Sequence, residues 1–374
     1  MRSTFDIRRL AGTLLVSAAA LGLAANAAGA ADFTGKRVTI LVPFSEGGGT
    51  DSWTRMMVPY LEKSLPGKPT VLVMNKPGAG GIAGTNYFND RAGSDGTMIY
   101  ALSISVAMNY AFKDPRIKFK LEDFHPVLSS PRGSTYYVRK ELGIGEVKDL
   151  KGKVVKLQNL PPEKLVFGGR TPTSVDMTYR VSLSLLGIEV NSVWGLGGTG
   201  PMALGFERGE FTISGENTLA FLTQRKHMIE NGIAQAIFTS GNFDDNGKYT
   251  RDPARPDLPT IVEAYEAVYG KKPSGPAFDA FESLAKLGIV MNKTLLLHPS
   301  TSKDVVEAWR TAVREMLKNE DFLKIAKDEL GPYPQIVGEP IREIMSKALN
   351  IDPEAHKWLA KYVKTRYDVD LAPK

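Results

Sequence analysis

Four short segments of the chain are rich in glycine, three of them with a threonine and two of these with a charged residue as well. They are Gly47-Gly48-Gly49-Thr50-Asp51, Gly78-Ala79-Gly80-Gly81, Gly168-Gly169-Arg170-Thr171 and Gly197-Gly198-Thr199-Gly200. Glycine lets a backbone N–H turn outward and approach another molecule closely. The first turn of a helix adds unpaired N–H groups and a partial positive charge. A glycine loop that opens a helix is therefore built to hold a carboxylate or a phosphate. Arg170 adds a guanidinium that can grip a carboxylate with two parallel bonds.

Other chemistries find little support. There is no cysteine, which removes disulfides, thiolate metal sites and thiol nucleophiles. No G-x-S-x-G, H-E-x-x-H or P-loop pattern occurs. The four histidines, His125, His227, His298 and His356, stand in no motif and read as surface or packing residues. The acidic pair Asp244-Asp245 lies in a polar stretch and reads as solvated. Gly78-Ala79-Gly80-Gly81-Ile82-Ala83 fits G-x-G-x-x-A, but it follows the second strand and not the first, so it is a weak dinucleotide signal. The sequence predicts no catalytic residue, no metal ligand and no cofactor.

The elements that must position the loops can be read from periodicity. Val38–Val42, Thr70–Met74 and Met98–Leu102 are apolar β-rich runs. After the first, Thr50-Asp51 reads as a helix N-cap, and Trp53, Met56, Met57, Tyr60 and Leu61 recur at helical spacing. A short helix is expected from about Gly84. The middle repeats this rhythm: strands at Leu165–Phe167, Ser192–Trp194 and Phe211–Ser214, the first two followed by a glycine loop and a helix. The third strand leads into Gly215-Glu216-Asn217. The stretch 302–364 reads as mainly helical, and Asn242–Pro259 as a polar surface loop. The alternation predicts an α/β fold with mostly parallel sheets, with ligand contacts at the carboxyl ends of strands. On that rule Ser103, Arg170, Thr171, Gly198, Thr199, Glu216 and Asn217 join the candidate site.

Composition narrows the class of partner. Formal net charge is +6, spread along the chain, which does not suggest nucleic acid and modestly favours anionic solutes. Residues 1–30 carry Arg2, Arg8 and Arg9, then an apolar run from Leu10 to Ala25, then Ala25-Asn26-Ala27 and Ala28-Gly29-Ala30. That order is a cleavable secretory signal, with cleavage before Ala28 or Ala31. The Arg8-Arg9 pair weakly raises a twin-arginine route. No later stretch is long and apolar enough to span a bilayer.

Several longer segments resemble one family. VPFSEGGGTD (Val42 to Asp51), NKPGAGGIAGTNYF (Asn75 to Phe88) and DGTMIYAL (Asp95 to Leu102) are similar to the receptors of tripartite tricarboxylate transporters, also called Bug-type receptors. LLGIEVNSVWGLGGTGPMALGFERGE (Leu185 to Glu210), RPDLPTIVEAYEA (Arg255 to Ala267) and NEDFLKIAK (Asn319 to Lys327) continue the likeness in order. The resemblance implies a two-lobed, type II-like periplasmic binding protein that closes on its ligand. It implies that the first two loops hold a ligand carboxylate, with contacts at Ser45, Gly48, Gly49, Thr50, Asp51, Ala79, Gly80 and Gly81. It further implies a small organic acid as ligand, a separate membrane permease as partner, and a periplasmic location.

Three features depart from the family pattern: Glu46, Trp194-Gly195-Leu196, and the length of Asn242–Pro259. Glu46 is expected to face solvent, or to pair with a cation on the ligand. One lobe is expected from residues 32–130 and 240–374, and the other from 131–239. The protein is expected to be a monomeric transport receptor and not an enzyme. A periplasmic sensor feeding a signalling partner and an exported enzyme are the alternatives.

Overall fold

The computed structural model describes residues 31–243 and 249–371. The proposed secretory signal, its cleavage sites and Asp244-Asp245 lie outside the described residues.

The chain opens with β1 (Arg37–Val42), α1 (Gly49–Ser64), β2 (Thr70–Asn75), α2 (Ile82–Arg91), β3 (Met98–Ser103) and α3 (Ile104–Ala111). β4 (His125–Ser130) and β5 (Ser134–Arg139) follow almost without a break. Then come α4 (Leu150–Gln158), β6 (Val166–Gly168), α5 (Asp176–Leu185), β7 (Asn191–Val193) and α6 (Thr199–Glu207). β8 (Ile213–Asn217), α7 (Thr218–Gln224), α8 (Lys226–Glu230) and β9 (Ala234–Thr239) complete the middle. The last third holds β10 (Asn242–Phe243), β11 (Tyr249–Thr250), α9 (Ile261–Tyr269), α10 (Pro276–Val290) and β12 (Lys293–Leu297). It ends with α11 (Lys303–Lys318), α12 (Glu320–Leu330), β13 (Ile336–Val337), α13 (Pro340–Leu349) and α14 (Pro353–Tyr367).

A six-stranded sheet runs in the order β13-β4-β12-β3-β1-β2. Its β1, β2 and β3 are parallel, because each is followed by a crossover helix. β12 enters antiparallel between β3 and β4, and β13 lies antiparallel on β4. The middle of the chain forms a three-stranded sheet, β8-β5-β9, that is wholly antiparallel, and a two-stranded parallel pair, β6-β7. The α/β expectation holds, and the sheets are mixed rather than mostly parallel. The parallel reading failed at β5, which follows β4 with no helix between them, and at β12 and β13, which return late in the chain to pair antiparallel with strands laid down much earlier.

Burial explains why the first elements form. Val38, Ile40 and Val42 are fully buried on one face of β1, where Trp53, Met57 and Leu61 present one stripe of α1 to the same core, and Leu41 is buried on the other face. The two largest buried side chains, Trp53 and Trp309, each satisfy their indole N–H, on Ser130 Oγ at 3.1 Å and on the Gly96 carbonyl at 3.0 Å. In the middle of the chain Tyr136, Phe167 and Tyr179 form an aromatic core on one face of the antiparallel sheet, while Tyr137 packs with Phe206 and Phe221 on the other.

The stretch Asn242–Pro259 is more than a surface loop. Within its described part β10 and β11 pair as a short antiparallel ribbon, and the Tyr249 hydroxyl bonds the Ser240 carbonyl. Asp252 is fully buried and accepts from Thr218 Oγ1 and Tyr333 Oη, each at 2.6 Å. It ties the start of α7 to the segment before β13, a link that polarity along the sequence does not reveal. Among the described residues no helix is long and apolar enough to cross a membrane.

Candidate functional site

The first two glycine loops leave the carboxyl ends of neighbouring strands β1 and β2, so the sheet sets them side by side. Their contact is tight. A Cβ on Gly84 would lie 2.5 Å from the Lys76 carbonyl and 2.9 Å from Pro43, and one on Gly81 would lie 2.9 Å from the Phe44 ring. Asn75 stitches the pair together, donating to the Phe44 carbonyl and to Asp51 Oδ1, both at 2.9 Å. Gly78, Ala79, Gly80 and Gly81 all have positive φ. For Ala79 this left-handed geometry costs about 1 kcal/mol, a strain that such segments keep at functional sites.

α1 starts at Gly49 with Gly48 as N-cap, two to three residues before the expected cap at Thr50-Asp51, and no side chain caps it. The N–H groups of Gly49, Thr50 and Asp51 therefore have no acceptor within their helix. Asp51 does not cap the helix. Its carboxylate is buried and turned back into the loop, accepting from the Gly47 N–H at 2.9 Å, Arg55 Nε at 2.9 Å and Asn75 Nδ2. Burial pushes its pKa up, but these hydrogen bonds and the Arg55 charge outweigh that and hold it below the ordinary carboxylate value. Ser45, Gly48, Gly49, Ala79 and Gly80 are exposed around this frame, while Thr50 and Gly81 are buried. Ser103 ends β3, and its Oγ accepts from the Ser105 N–H at 3.4 Å as the cap of α3. Glu46 projects to solvent, 3.9 Å from Arg55.

Two basic residues near this frame escape any reading by motif. Lys293, the first residue of β12, pairs with Ser103 and Ser130 at the strand ends. Its Nζ lies 3.7 Å from the place a Cβ on Gly49 would occupy. Glu329 Oε1, near the end of α12, accepts from both Lys293 Nζ and Arg132 Nη2 at 2.7 Å. The only hint in the sequence is a lysine opening the apolar run Lys293-Thr294-Leu295-Leu296-Leu297.

The middle-chain candidates divide into two groups. Arg170 is turned inward: its Nε and Nη2 grip both oxygens of the fully buried Asp176 at 2.9 and 2.5 Å, and its own N–H bonds the same carboxylate. The two-pronged face that was expected to meet a ligand is thus already used within the protein. Glu216 is likewise buried and forked by Arg225, at 2.8 and 3.1 Å. Burial raises the Glu216 pKa, against the pull of Arg225. Asn217 caps α7 through its Oδ1, while its buried Nδ2 has no partner. Thr171 is exposed, and Gly198 and Thr199 form the open start of α6, where nothing lies within 4 Å of a Cβ on Gly198. Trp194 packs edge-on against Tyr367, and its ring touches the backbone at Gly169, where a Cβ would lie 2.3 Å away. It packs the middle of the chain against the C-terminal helix α14.

Two cavities, of about 510 and 440 Å³, are lined by other residues, including Lys140, Gln235 and Arg255 in one and Tyr249, Glu266 and Phe278 in the other. Neither includes a residue of the first two glycine loops. Among the described residues no group of His, Asp or Glu could hold a metal ion.

No family model matches the chain. Among curated proteins it is 33% identical to Protein BugT of Bordetella pertussis over 124 residues, which cover 33% of this chain and 37% of that one. It is 30% identical, over 60% of each chain, to the UPF0065 protein in the TAR-I ttuE-ttuC' intergenic region of Agrobacterium vitis. The chain thus spans little more than a third of BugT and about three fifths of the second relative.

Solved structures share the fold over most of the chain. R. palustris Rpa4515 with adipate has a TM-score of 0.63 at 19% identity and covers 91% of this chain and 99% of its own. MatC from Rhodopseudomonas palustris with bound malate has 0.58 at 19%, covering 84% and 98%. Periplasmic binding protein BugD has 0.59 at 20%, covering 89% and 98%. The chain has the two-lobed α/β fold of periplasmic binding proteins. The sequence relatives include a Bug protein, and the fold is shared with solved periplasmic binding proteins such as BugD.

Proposed function

We propose that the chain is an extracytoplasmic solute receptor that binds a small organic acid between two lobes and delivers it to a tripartite tricarboxylate-type permease. The observation that carries this reading is the pair of loops at the ends of β1 and β2. They are locked together by Asn75 and Asp51 and present an uncapped helix start beside a strained glycine turn. Such a surface favours a carboxylate through backbone donors and helix charge. The malate and adipate held by fold neighbours are small carboxylates, which supports the same ligand class.

On this reading Ser45, Gly48, Gly49, Thr50, Ala79, Gly80 and Gly81 surround the ligand carboxylate. Asp51 holds the loop in shape. Residues 32–130 and 240–374 make one lobe and 131–239 the other. Ser103, Thr171, Gly198, Thr199 and Asn217 face the ligand from strand ends, and Arg170 and Glu216 stiffen the second lobe. Residues 1–30 direct export to the periplasm and are removed. The receptor acts as a monomer and performs no catalysis.

A thermal-shift screen of mono-, di- and tricarboxylates tests the ligand class. A ligand at a hundredfold excess over its Kd stabilises the folded state by about 2.7 kcal/mol, which moves the melting temperature measurably. A panel in which no carboxylate shifts the transition contradicts the proposal.

A further inference from the structure

The basic pair beside the first loop has more positive charge than its surroundings balance. Lys293 and Arg132 are 6% and 3% exposed, and both spend a donor on the same oxygen of one carboxylate, Glu329 Oε1. Arg132 Nε, buried, has no partner. Two buried cations against one anion leave a net positive charge in a place where water screens poorly, and a buried charge of this kind calls for a counter-ion. The N-terminus of α1 adds to it, since the Lys293 ammonium stands 3.7 Å from the Cβ position of Gly49. An ammonium has three donors, and one is committed to Glu329.

We propose that Lys293 is a direct cationic contact for the ligand carboxylate bound at the start of α1, with Arg132 and Glu329 as positioning residues that hold its ammonium there. This rests on the reading of the protein as a carboxylate receptor and adds to it a fixed charge that a backbone-only site lacks. It also accounts for the cost of burying a lysine at the head of a core strand, where an apolar residue would pack without penalty.

The charged groups that face Lys293 are few. Arg132 comes from the β4–β5 connection and Glu329 from α12; β3 and β4 present the neutral Ser103 and Ser130, and α1 presents the Gly49 backbone. Burial, reinforced by Arg132 and opposed by Glu329, brings the Lys293 ammonium down to about 7. A bound anion stabilises the ammonium and raises its pKa. Binding at or slightly above neutral pH then draws in a proton, and affinity falls as pH rises through and beyond neutrality.

The test is calorimetric titration of the full chain with malate and with adipate, in two buffers of different ionisation enthalpy, for the wild type, Lys293→Met and Lys293→Arg. The expected result is proton uptake by the wild type, at least a tenfold loss of affinity with loss of that uptake in Lys293→Met, and substantial recovery in Lys293→Arg. Circular dichroism checks the variants' fold. If Lys293→Met fails to fold, the wild-type buffer comparison decides alone. Wild-type binding without proton uptake, or a folded Lys293→Met with affinity within twofold of the wild type, overturns the proposal. If the wild type binds neither acid, the receptor reading loses its ligand class, and a second measurement separates the two claims: the Lys293 Nζ titration followed by NMR with and without sodium sulfate. An upward shift with sulfate supports the anion contact, and an unmoved titration overturns it.

Discussion

Asp51→Asn separates a residue that shapes the loop from one that touches the ligand. The wild-type carboxylate accepts three hydrogen bonds, two at Oδ2 from Gly47 N–H and Arg55 Nε, and one at Oδ1 from Asn75 Nδ2. Asparagine keeps one acceptor. If its oxygen takes the Oδ2 place, its amide nitrogen faces the Asn75 amide nitrogen. Asn75 cannot simply turn over, because its Nδ2 also donates to the Phe44 carbonyl and its Oδ1 accepts from Arg55 Nη2. One buried donor is left unpaired, and the charge assistance to Gly47 is lost. A buried unsatisfied donor costs about 1–3 kcal/mol, and half-exposed Arg55 adds little, so about 2 kcal/mol of stability should go. Urea unfolding at neutral pH measures this.

The pH dependence gives an independent check. Because the folded-state pKa of Asp51 is held below its unfolded value of about 3.8, its contribution is present above that value. It is lost as pH falls through the lower folded pKa. The difference in stability between wild type and Asp51→Asn should therefore shrink in acid. An unchanged unfolding midpoint together with lost ligand binding would refute this reasoning and make Asp51 a direct ligand contact.

Four further substitutions probe the rest of the account. Gly80→Val forces a β-branched residue into φ 65°, with a Cβ 3.0 Å from Asn109 Nδ2; carboxylate affinity should fall at least tenfold by calorimetry while circular dichroism stays native, whereas Gly49→Ala, at a backbone without positive φ, should leave the melting temperature unchanged. Arg170→Gln removes the fork on buried Asp176 and should cost about 3 kcal/mol in urea unfolding, with mono- and diacid affinities changing in parallel; a selective loss of diacid affinity would instead make it a ligand contact. Asp252→Ala strips the acceptor from Thr218 and Tyr333 and should cost about 2 kcal/mol, a loss that a mere surface loop would not show.

Local pattern carried much of the fold. The runs at Val38–Val42, Thr70–Met74 and Met98–Leu102 became parallel strands within a residue of their expected ends, because each is apolar, β-branched and bounded by turn residues. The antiparallel insertions of β12 and β13 were not legible, since strand direction depends on partners far along the chain. The same limit hid Lys293 and Arg132. Lys293 meets α1 from 244 positions away, and no spacing rule links it to Gly49. Arg170 shows the converse: a basic residue in a glycine loop reads as a ligand clamp until Asp176, six residues on, is seen turned back to receive it.

The central claim is that the chain recognises the charge of a small carboxylate at the start of α1 and the adjacent glycine turn. The most direct measurement is the Kd of a dicarboxylate such as malate or adipate, chosen by the screen, beside that of its uncharged diamide, on the same purified chain. The account predicts saturable one-to-one binding of the acid and at least a hundredfold weaker binding of the diamide, about 2.7 kcal/mol or more. Equal affinity for the acid and the diamide would contradict it.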